Sequence, residues 1–369
     1  MHKKKIDDIS FDDLIKNAED ITDRFDIDLG GLPDDILRAS QLTEPYLSLI
    51  RKLMEKLLLA PDDDYLAPKQ VLVNMEDWFD KHGEVVKKAY KDGEVMAVDG
   101  TPLISHKRYL PGQVYACAVG GLTSKDPMNL EAKLVKVLAN LEEIQEEDVS
   151  LDDISRIVSE SDQLTRTSSW PNAFRTYQER EFAFRSPYKH VIIDGPIVTE
   201  DLLTRQAGRE LYRKMLTASN RCFVGVIKDI HQSPASLRYH ARALRIGELF
   251  VWNDLKGVLE RNLGESEYQG DVKDFADSYG GQVVRGVYKP GVKPFGFECL
   301  RKDLPNVIAL LWIDRNEQPG HEIPFLLGQV DSQLRGRYRP AETSKAIEVS
   351  LAGYSDEQLF DEIDERDLR

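Results

Sequence analysis

The chain has 369 residues, of which 41% are hydrophobic and 31% charged, and its formal net charge is −15. This balance is typical of a folded globular protein and excludes a wholly disordered chain. No apolar run approaches the roughly 20 residues that span a bilayer. The basic N-terminus has no apolar segment behind it, so neither a membrane span nor a secretory signal is expected.

The three cysteines bear on the cellular compartment. Cys117, Cys222 and Cys299 lie far apart and form no CxxC pair. Reduced, buried thiols are therefore expected, which indicates a cytoplasmic protein without a zinc site.

The charge is unevenly distributed along the chain. Acidic residues are concentrated from Glu142 to Asp148 and in a C-terminal tail, residues 354–369. A net negative chain is poorly suited to phosphate contacts over its whole surface. However, Arg335, Arg337 and Arg339 form a local basic cluster, which is a candidate surface for DNA. The acidic tail is most simply interpreted as a solvated segment.

Residues 1–92 are predicted to be helical. Apolar residues between Tyr46 and Leu59 recur every three or four positions, which predicts a strongly amphipathic helix. A further helix is expected from Val71 to Tyr90. Since no motif here carries chemistry, we interpret the region as an arm for dimerisation or partner docking. Simple packing on the core is the alternative.

The periodicity then changes to that of strands. Glu94–Thr101 has the pattern of a buried strand that delivers Asp99 to the edge of a sheet, where Gly100 lets a substrate approach. Two further strands, Pro102–Arg108 and Gln113–Gly120, follow after short turns. Three consecutive strands of this kind predict an antiparallel meander.

Residues 124–168 are expected to form a helical insertion over the sheet. The segment is acidic, and its apolar residues recur at helical spacing. Those that would share one face are Leu130, Leu134, Val137, Leu138 and Leu141.

A helix is predicted from Trp170 to Phe184. On a period of 3.6 residues its aromatic residues share one side with Glu181, whereas Glu179 falls on another side and is expected to face solvent. A carboxylate on a core-facing stripe needs a partner, and a metal ion is a natural one. The alternative is a salt bridge from Glu181 to a nearby arginine.

Two more buried strands follow this helix. His190–Pro196 repeats the pattern of a strand that ends in Asp-Gly and carries Asp194. Cys222–Ile227 is another apolar strand and leads into Lys228. The pairing of two such Asp-Gly strands is what a divalent-metal site requires, since it fixes carboxylates on rigid elements.

Further strands are predicted towards the C-terminus, among them Val307–Asp314. The chain shows no internal repeat and no linker rich in proline or serine. We therefore expect residues 93–353 to form a single domain.

The order of the elements predicts the fold class. The chain contains, in order, a strand with an aspartate, two hairpin strands, a helix with a glutamate and a second strand with an aspartate. This is the order of an α/β, RNase H-like mixed sheet flanked by helices. The first and fourth strands are neighbours in that sheet, which would bring Asp99 and Asp194 together beside Glu181. Such carboxylates suit Mg²⁺ or Mn²⁺. Two ions could activate a water and stabilise the leaving oxygen of a phosphodiester.

Five segments between about residues 94 and 345 carry a resemblance to a known family. They are Met-Ala-Val-Asp-Gly-Thr101, Val-Ile-Ile-Asp-Gly-Pro196, Val-Gly-Val-Ile-Lys-Asp229, Trp252-Asn-Asp254-Leu-Lys-Gly-Val-Leu259 with Gly264-Glu265-Ser266, and Glu322-Ile-Pro-Phe-Leu-Leu-Gly-Gln329. In this order they resemble the NurA family of DNA-repair nucleases, which have an RNase H-like core.

The resemblance implies a nuclease that uses Mn²⁺ or Mg²⁺, with two ions, and acts on DNA ends and single strands. It also implies a homodimer docked on a hexameric HerA-type ATPase, in DNA end processing or in antiphage defence. By motif position Asp99 and Asp194 would be metal ligands, with Glu181 as the intervening acid. Lys228 could hold a phosphate, or be a surface lysine that ends a strand.

Two departures from the family pattern bear on the site. The usual Asp-Gly-Ser after the second aspartate strand reads Asp-Gly-Pro196, and the C-terminal Ala-His reads Gly328-Gln329. Asp331 or His321 is expected to take the role of the missing histidine as a ligand or water-positioning group.

Two other functions fit parts of the pattern. Asp-Gly-Thr101 is shared with haloacid-dehalogenase phosphatases, but the position of their nucleophilic aspartate is Ala97 here, so covalent phosphoryl transfer lacks its nucleophile. A catalytically degenerate NurA-like subunit, which keeps the fold and lacks the last ligand, is the alternative to an enzyme.

Overall fold

A mixed sheet of nine strands organises the protein. The computed structural model describes residues 32–109, 112–127, 129–138, 170–230, 235–262, 270–315, 323–339 and 342. The strands are β1 (Val71–Asn74), β2 (Val95–Tyr109), β3 (Gly112–Thr123), β4 (Asn129–Leu138), β5 (His190–Asp194), β6 (Cys222–Ile227), β7 (Glu248–Asp254), β8 (Val283–Lys289) and β9 (Phe295–Leu300). They lie in the order β1-β7-β8-β9-β6-β5-β2-β3-β4.

The described residues also form eleven α-helices. They are α1 (Leu32–Glu55), α2 (Met75–His82), α3 (Glu84–Asp92), α4 (Trp170–Arg185), α5 (Glu200–Leu203), α6 (Gln206–Thr217), α7 (Ala235–Ala243), α8 (Leu255–Asn262), α9 (Asp271–Tyr279), α10 (Leu304–Ile313) and α11 (Phe325–Arg337). The chain divides into two compact units, residues 1–49 and 50–369, and the whole sheet lies in the second. Within the described ranges, every helix is too short or too polar to cross a lipid bilayer.

The strand pairing confirms the predicted α/β, RNase H-like arrangement. β2, β3 and β4 form an antiparallel meander, β5 lies parallel to β2, and β6 lies parallel to β5. Beyond β6 the sheet continues through β9, β8, β7 and β1, each antiparallel to its neighbour. The strands β2 and β5, which carry the two aspartates, are therefore adjacent.

Both faces of the sheet are buried, which explains the nearly continuous apolar runs of its central strands. Successive side chains alternate between faces, so that Ala97 and Ile192 enter one core with α2, α10 and α11. Val98 and Ile193 enter a second core with α4, α6 and α9. The candidate site lies at the end of the parallel pairing of β2 with β5.

Residues 71–92 differ from the predicted helix between Val71 and Tyr90. The first four residues form β1, which is antiparallel to β7. The Asn74 side chain then accepts hydrogen bonds from two backbone N–H groups in the first turn of α2, which is a favourable N-cap. Trp78 of α2 is fully buried in the core of the sheet unit. The predicted boundary at residue 92 therefore does not separate this segment from the sheet.

The strand β2 does not end at Gly100. It is 15 residues long and continues to Tyr109, and its pairing with β3 runs through Asp99 opposite Gly120 and Thr101 opposite Ala118. The expectation of two strands with a turn after Asp99 is therefore wrong. Because β3 supplies hydrogen-bond partners on both sides of Gly100, the chain stays extended there.

The helical insertion predicted for residues 124–168 is wrong where the structure describes it. Residues 129–138 form β4, which pairs antiparallel with β3 along its length. Without β4, the outer edge of β3 would present unpaired N–H and C=O groups, so pairing outweighs the helix-like leucine spacing. Residues 139–169 lie outside the described residues, as does the tail from residue 354.

The predicted strand Val307–Asp314 is instead most of α10. This helix is buried on nearly every side, and an apolar run of this kind has the same pattern in a buried strand and in a buried helix. Asp314 follows the helix and is fully buried. Its Oδ1 accepts hydrogen bonds from the Tyr90 hydroxyl at 2.8 Å and the Leu326 N–H at 3.1 Å. Asp314 thus joins α3, α10 and α11.

Asp314 should make stability depend on pH. Burial raises the pKa of its carboxyl to about 7 from an ordinary value of 3.8. Since the unfolded carboxyl ionises at lower pH than the folded one, its stabilising contribution is full below about pH 4 and is lost as the pH rises to about 7. Asp314→Asn keeps the Oδ1 acceptor but cannot ionise. Its free energy of unfolding, relative to the unsubstituted protein, should rise by up to about 4 kcal/mol from pH 4 to pH 8.

The measurement is chemical denaturation of both proteins at several pH values across this interval. Asp80→Asn, at an exposed position of α2, is the control and should give a difference that does not change with pH. A flat difference for Asp314→Asn would contradict the prediction.

Candidate functional site

The register of two parallel strands brings Asp99 and Asp194 together. Val98 of β2 is paired with Ile193 of β5, so the next residue of each strand is an aspartate at the same level. Asp99 is buried, with 3% of its surface exposed, whereas the side chain of Asp194 is 26% exposed. The two predicted carboxylates therefore share one site that opens to solvent on the Asp194 side.

Lys228 lies between these two carboxylates. It follows the end of β6, the strand parallel to β5 on the side away from β2. Its Nζ lies 3.2 Å from Oδ2 of Asp99 and 3.0 Å from Oδ2 of Asp194. Burial lowers the pKa of the Lys228 ammonium, but Asp194, Asp99 and Asp331 outweigh burial and raise it overall. Lys228 is thus a permanent cation within the acidic site.

The third acid of the site is Glu179 of α4. Only 4% of its surface is exposed, and its charge contributes to raising the pKa of Asp99, after burial and Asp194. A Cβ atom at Gly100 would lie 2.5 Å from Oε1 of Glu179 and 2.8 Å from its Cγ. A side chain at position 100 would therefore clash with the carboxylate of Glu179, which occupies that space.

The structure reverses the predicted positions of Glu179 and Glu181 on α4. Glu179 was expected to face solvent and is buried, because Phe182 and Ala183, three and four residues later, pack into the core beneath the helix. Glu181 is only partly buried, and its charge acts on Tyr177 of its own helix. Thus the structure does not bring Glu181 to the two aspartates.

Two arginines partner Glu179. Arg175, one turn earlier in α4, has its Nε 3.5 Å from Oε1 of Glu179. Arg180 is 1% exposed and forms an ion pair with the other carboxylate oxygen. The guanidinium of Arg180 also donates hydrogen bonds to the backbone oxygens of Asp194 at 3.0 Å and Pro196 at 2.5 Å. Arg180 therefore fixes α4 to the turn that follows β5.

The Asp-Gly-Pro sequence is accommodated by this turn. Gly195 has a φ of +77°, a left-handed conformation that glycine adopts without strain. Its N–H donates to the backbone oxygen of Val226 at 2.8 Å, and the carbonyl of Pro196 accepts from Arg180. These contacts use backbone atoms of the turn. They are therefore compatible with Pro196, where the NurA pattern has serine.

Asp99 and Glu179 are costly to ionise. Burial and the charge of Asp194 raise the pKa of Asp99 well above its ordinary value. Burial likewise raises the pKa of Glu179, even though Arg180 and Arg175 oppose this. Carboxylates that are costly to ionise are stabilised by a further cation, and oxygen ligands suit Mg²⁺ or Mn²⁺.

The donor set therefore fits a divalent cation in its chemistry. Its present geometry is different, however: in the part of the chain that the structure describes, no group of three His, Cys, Asp or Glu side chains is arranged to hold a metal ion. Between Asp99 and Asp194 the space is taken by the Lys228 ammonium. A metal ion would require these side chains to rearrange.

The C-terminal candidates lie on or near α11. Asp331 pairs with Arg335 at 3.0 Å, and its charge contributes to the raised pKa of Lys228, so it lies beside the site. Gln329 is exposed. His321 lies outside the described residues. Of the two residues expected to replace the family's histidine, the structure thus places Asp331 near the acids.

The basic cluster at the end of α11 is exposed. Arg335, Arg337 and Arg339 are all solvent-accessible, and Arg339 pairs with Glu342 at 3.0 Å. Because α11 also carries Asp331, the cluster begins one helical turn from a residue beside the site.

Gly100→Ala should destabilise the protein by about 1–3 kcal/mol, because the added methyl group would overlap the Glu179 carboxylate. The free energy of unfolding from chemical denaturation measures this effect. Gly281→Ala is the matched control, since a Cβ there meets nothing within 4 Å. Equal stability of the two variants would show that Glu179 does not occupy the space over Gly100.

No protein-family model and no curated protein sequence matches the chain. Similar solved structures include the NurA nuclease from Sulfolobus solfataricus, with 10% identity over 76% of this chain and 96% of that chain and a TM-score of 0.41. A NurA structure with manganese has 8% identity over 71% and 89%, with a TM-score of 0.37. Human ENDOV has 14% identity over 80% and 99%, with a TM-score of 0.31. NurA is the family that the sequence resembles, but at these identities and TM-scores the likeness does not assign this chain an activity.

Proposed function

We propose that the protein is a metal-dependent DNA nuclease that hydrolyses phosphodiester bonds at DNA ends and in single strands. The observation that carries this proposal is the cluster of three acids, Asp99, Glu179 and Asp194, where two adjacent parallel strands meet α4. Two of them, Asp99 and Glu179, are buried acids with raised pKa values, and such acids are typical of a functional site. DNA as the substrate is supported by the motif resemblance to NurA.

In this proposal Asp99, Glu179 and Asp194 would hold Mn²⁺ or Mg²⁺, with two ions in all. The metal, when bound, supplies a hydroxide nucleophile near neutral pH and offsets charge on the phosphate. Lys228 is positioned to hold a phosphate oxygen beside the acids. Asp331 takes the water-positioning role of the family's histidine.

The exposed arginines of α11 are the proposed DNA contact. Arg335 and Arg337 lie on the helix that carries Asp331, and Arg339 follows its end, so a strand bound to them would run towards the acids. In a chain with a net charge of −15, a local basic surface is required for phosphate contacts. Their position supports this role.

Glu179→Gln should lower the rate of DNA cleavage by about 100-fold or more, since losing about 3 kcal/mol of metal-assisted stabilisation has that effect. Glu181→Gln, two residues away, should cleave at nearly the unsubstituted rate. The assay follows degradation of linear and single-stranded DNA with Mn²⁺, with thermal denaturation to show that both variants fold. Loss of activity in Glu181→Gln alone would contradict the assignment.

A second candidate is a catalytically degenerate NurA-like subunit of an ATPase complex. Two observations favour it: Gln329 stands where the family has histidine, and no described group of acids is arranged for a metal ion. The two candidates differ in activity of the unsubstituted protein. Absence of DNA cleavage with Mn²⁺, both alone and with a HerA-type ATPase, would select the structural subunit.

We further propose that the protein is a cytoplasmic homodimer that works with a hexameric HerA-type ATPase in DNA end processing or antiphage defence. The sequence resemblance supports these partners. The helix α1 is the proposed arm for dimerisation or docking. Tyr46 and Leu49, three residues apart on it, are 66% and 56% exposed, and exposed apolar residues at helical spacing suit an interface.

Tyr46→Asp combined with Leu49→Asp should convert the dimer to a monomer, because the charges would be buried without partners in an apolar interface. Light scattering coupled to size exclusion gives the mass in solution. Val85→Asp, at an apolar position of α3 that is 64% exposed, is the control and should remain dimeric. An unchanged mass for the double variant would exclude this face of α1 as the dimer interface.

A further inference from the structure

We propose that Lys228 is the resident counter-ion of the acidic site and that it leaves the carboxylates when a divalent cation binds. This inference rests on the proposed function, because it concerns the same three acids. It assigns Lys228 a positioning role before substrate arrives, in addition to any contact with phosphate.

The geometry points to a cation position that the chain fills by itself. The Lys228 ammonium lies within 3.2 Å of one carboxylate oxygen from each aspartate. The three side chains are 23%, 4% and 26% exposed for Lys228, Asp99 and Asp194. Two acids from neighbouring strands thus converge on one positive charge in a partly buried place, where such charges interact strongly.

The register of the sheet explains why a lysine reaches this position. Asp194 is paired with Val226 of β6, and Lys228 lies two residues further along, just after that strand ends. Because β5 lies between β6 and β2, the long lysine side chain reaches Asp194 on the neighbouring strand and Asp99 on the strand beyond it. The lysine is therefore positioned by the same sheet that carries the aspartates.

The lysine and a metal ion cannot share this place. Two cations bound to the same carboxylate oxygen repel each other. In addition, each aspartate oxygen that is paired with Lys228 is drawn towards its ammonium. This accounts for the finding that no group of acids among the described residues is arranged for a metal ion. Arg175 and Arg180 differ from Lys228, because the ion pairs that the structure describes for them are with Glu179 and not with the aspartates.

We expect two effects of opposite sign for Lys228→Met, which keeps an unbranched side chain one atom shorter and removes its charge. Without metal, the melting temperature should fall by several degrees, because the aspartates lose their partner. At the same time Mn²⁺ should bind about tenfold more tightly or better, because no competing cation has to leave. A merely structural ion pair would give the first effect and not the second.

The experiment is isothermal titration of Mn²⁺ into the full-length unsubstituted protein, Lys228→Met and Lys87→Met, with melting temperatures recorded without metal. Lys87 pairs with Glu84 on an exposed surface, so its variant controls for loss of one positive charge. Tighter Mn²⁺ binding by Lys228→Met alone supports the inference. Equal binding by all three proteins overturns it and leaves the proposed nuclease intact.

Two further outcomes of the titration distinguish the counter-ion role of Lys228 from the proposed nuclease function. If only Lys228→Met binds Mn²⁺, the counter-ion role stands and metal-dependent activity of the natural chain does not. If no protein binds Mn²⁺, both are overturned.

A second measurement uses the unsubstituted protein, in case Lys228→Met does not fold. Acetylation of lysines by a small anhydride, read by mass spectrometry, reports how accessible each ammonium is. Mn²⁺ should increase the labelling of Lys228 several-fold and leave that of Lys87 unchanged. Unchanged or reduced labelling of Lys228 in protein that binds Mn²⁺ would contradict its displacement.

Discussion

The structure depends on how it keeps three carboxylates close together at the edge of a buried sheet. Unpaired carboxylates in such a place are costly, and each is offset in a defined way. Asp99 and Asp194 share the ammonium of Lys228. Glu179 is held by arginines of its own helix. The two aspartates and the glutamate therefore have different cationic partners.

The fold delivers these groups through ordinary features of a mixed sheet. Parallel pairing of β2 with β5 sets the two aspartates at one level, and parallel pairing of β5 with β6 places Lys228 two residues beyond that level. The absence of a side chain at Gly100 lets Glu179 approach from α4. From the far side α11 adds Asp331, whose charge reaches Lys228. Each of these contributions comes from a rigid helix or strand, which favours a precise site.

Sequence reasoning could predict the neighbouring aspartates because parallel strands of known order share one edge, where Asp99 and Asp194 must meet. It did not predict Glu179, because the aromatic residues of α4 share one side of the helical wheel with Glu181. In the structure the small Ala183 faces the sheet. Arg175, four residues before Glu179, was the available signal of a buried acid. The strand β4 was missed because leucines at intervals of three and four suit a helix, and only pairing with β3 decides for a strand.

The central proposal is that Asp99, Glu179 and Asp194 bind a divalent cation and that Lys228 now occupies the space between the two aspartates. The most direct measurement is anomalous diffraction from crystals soaked in Mn²⁺. We expect a manganese peak bound by oxygens of all three acids, with the Lys228 ammonium moved out of the space between the aspartates. A peak bound through Glu181, or none near β2 and β5 with Lys228 unmoved, would contradict it.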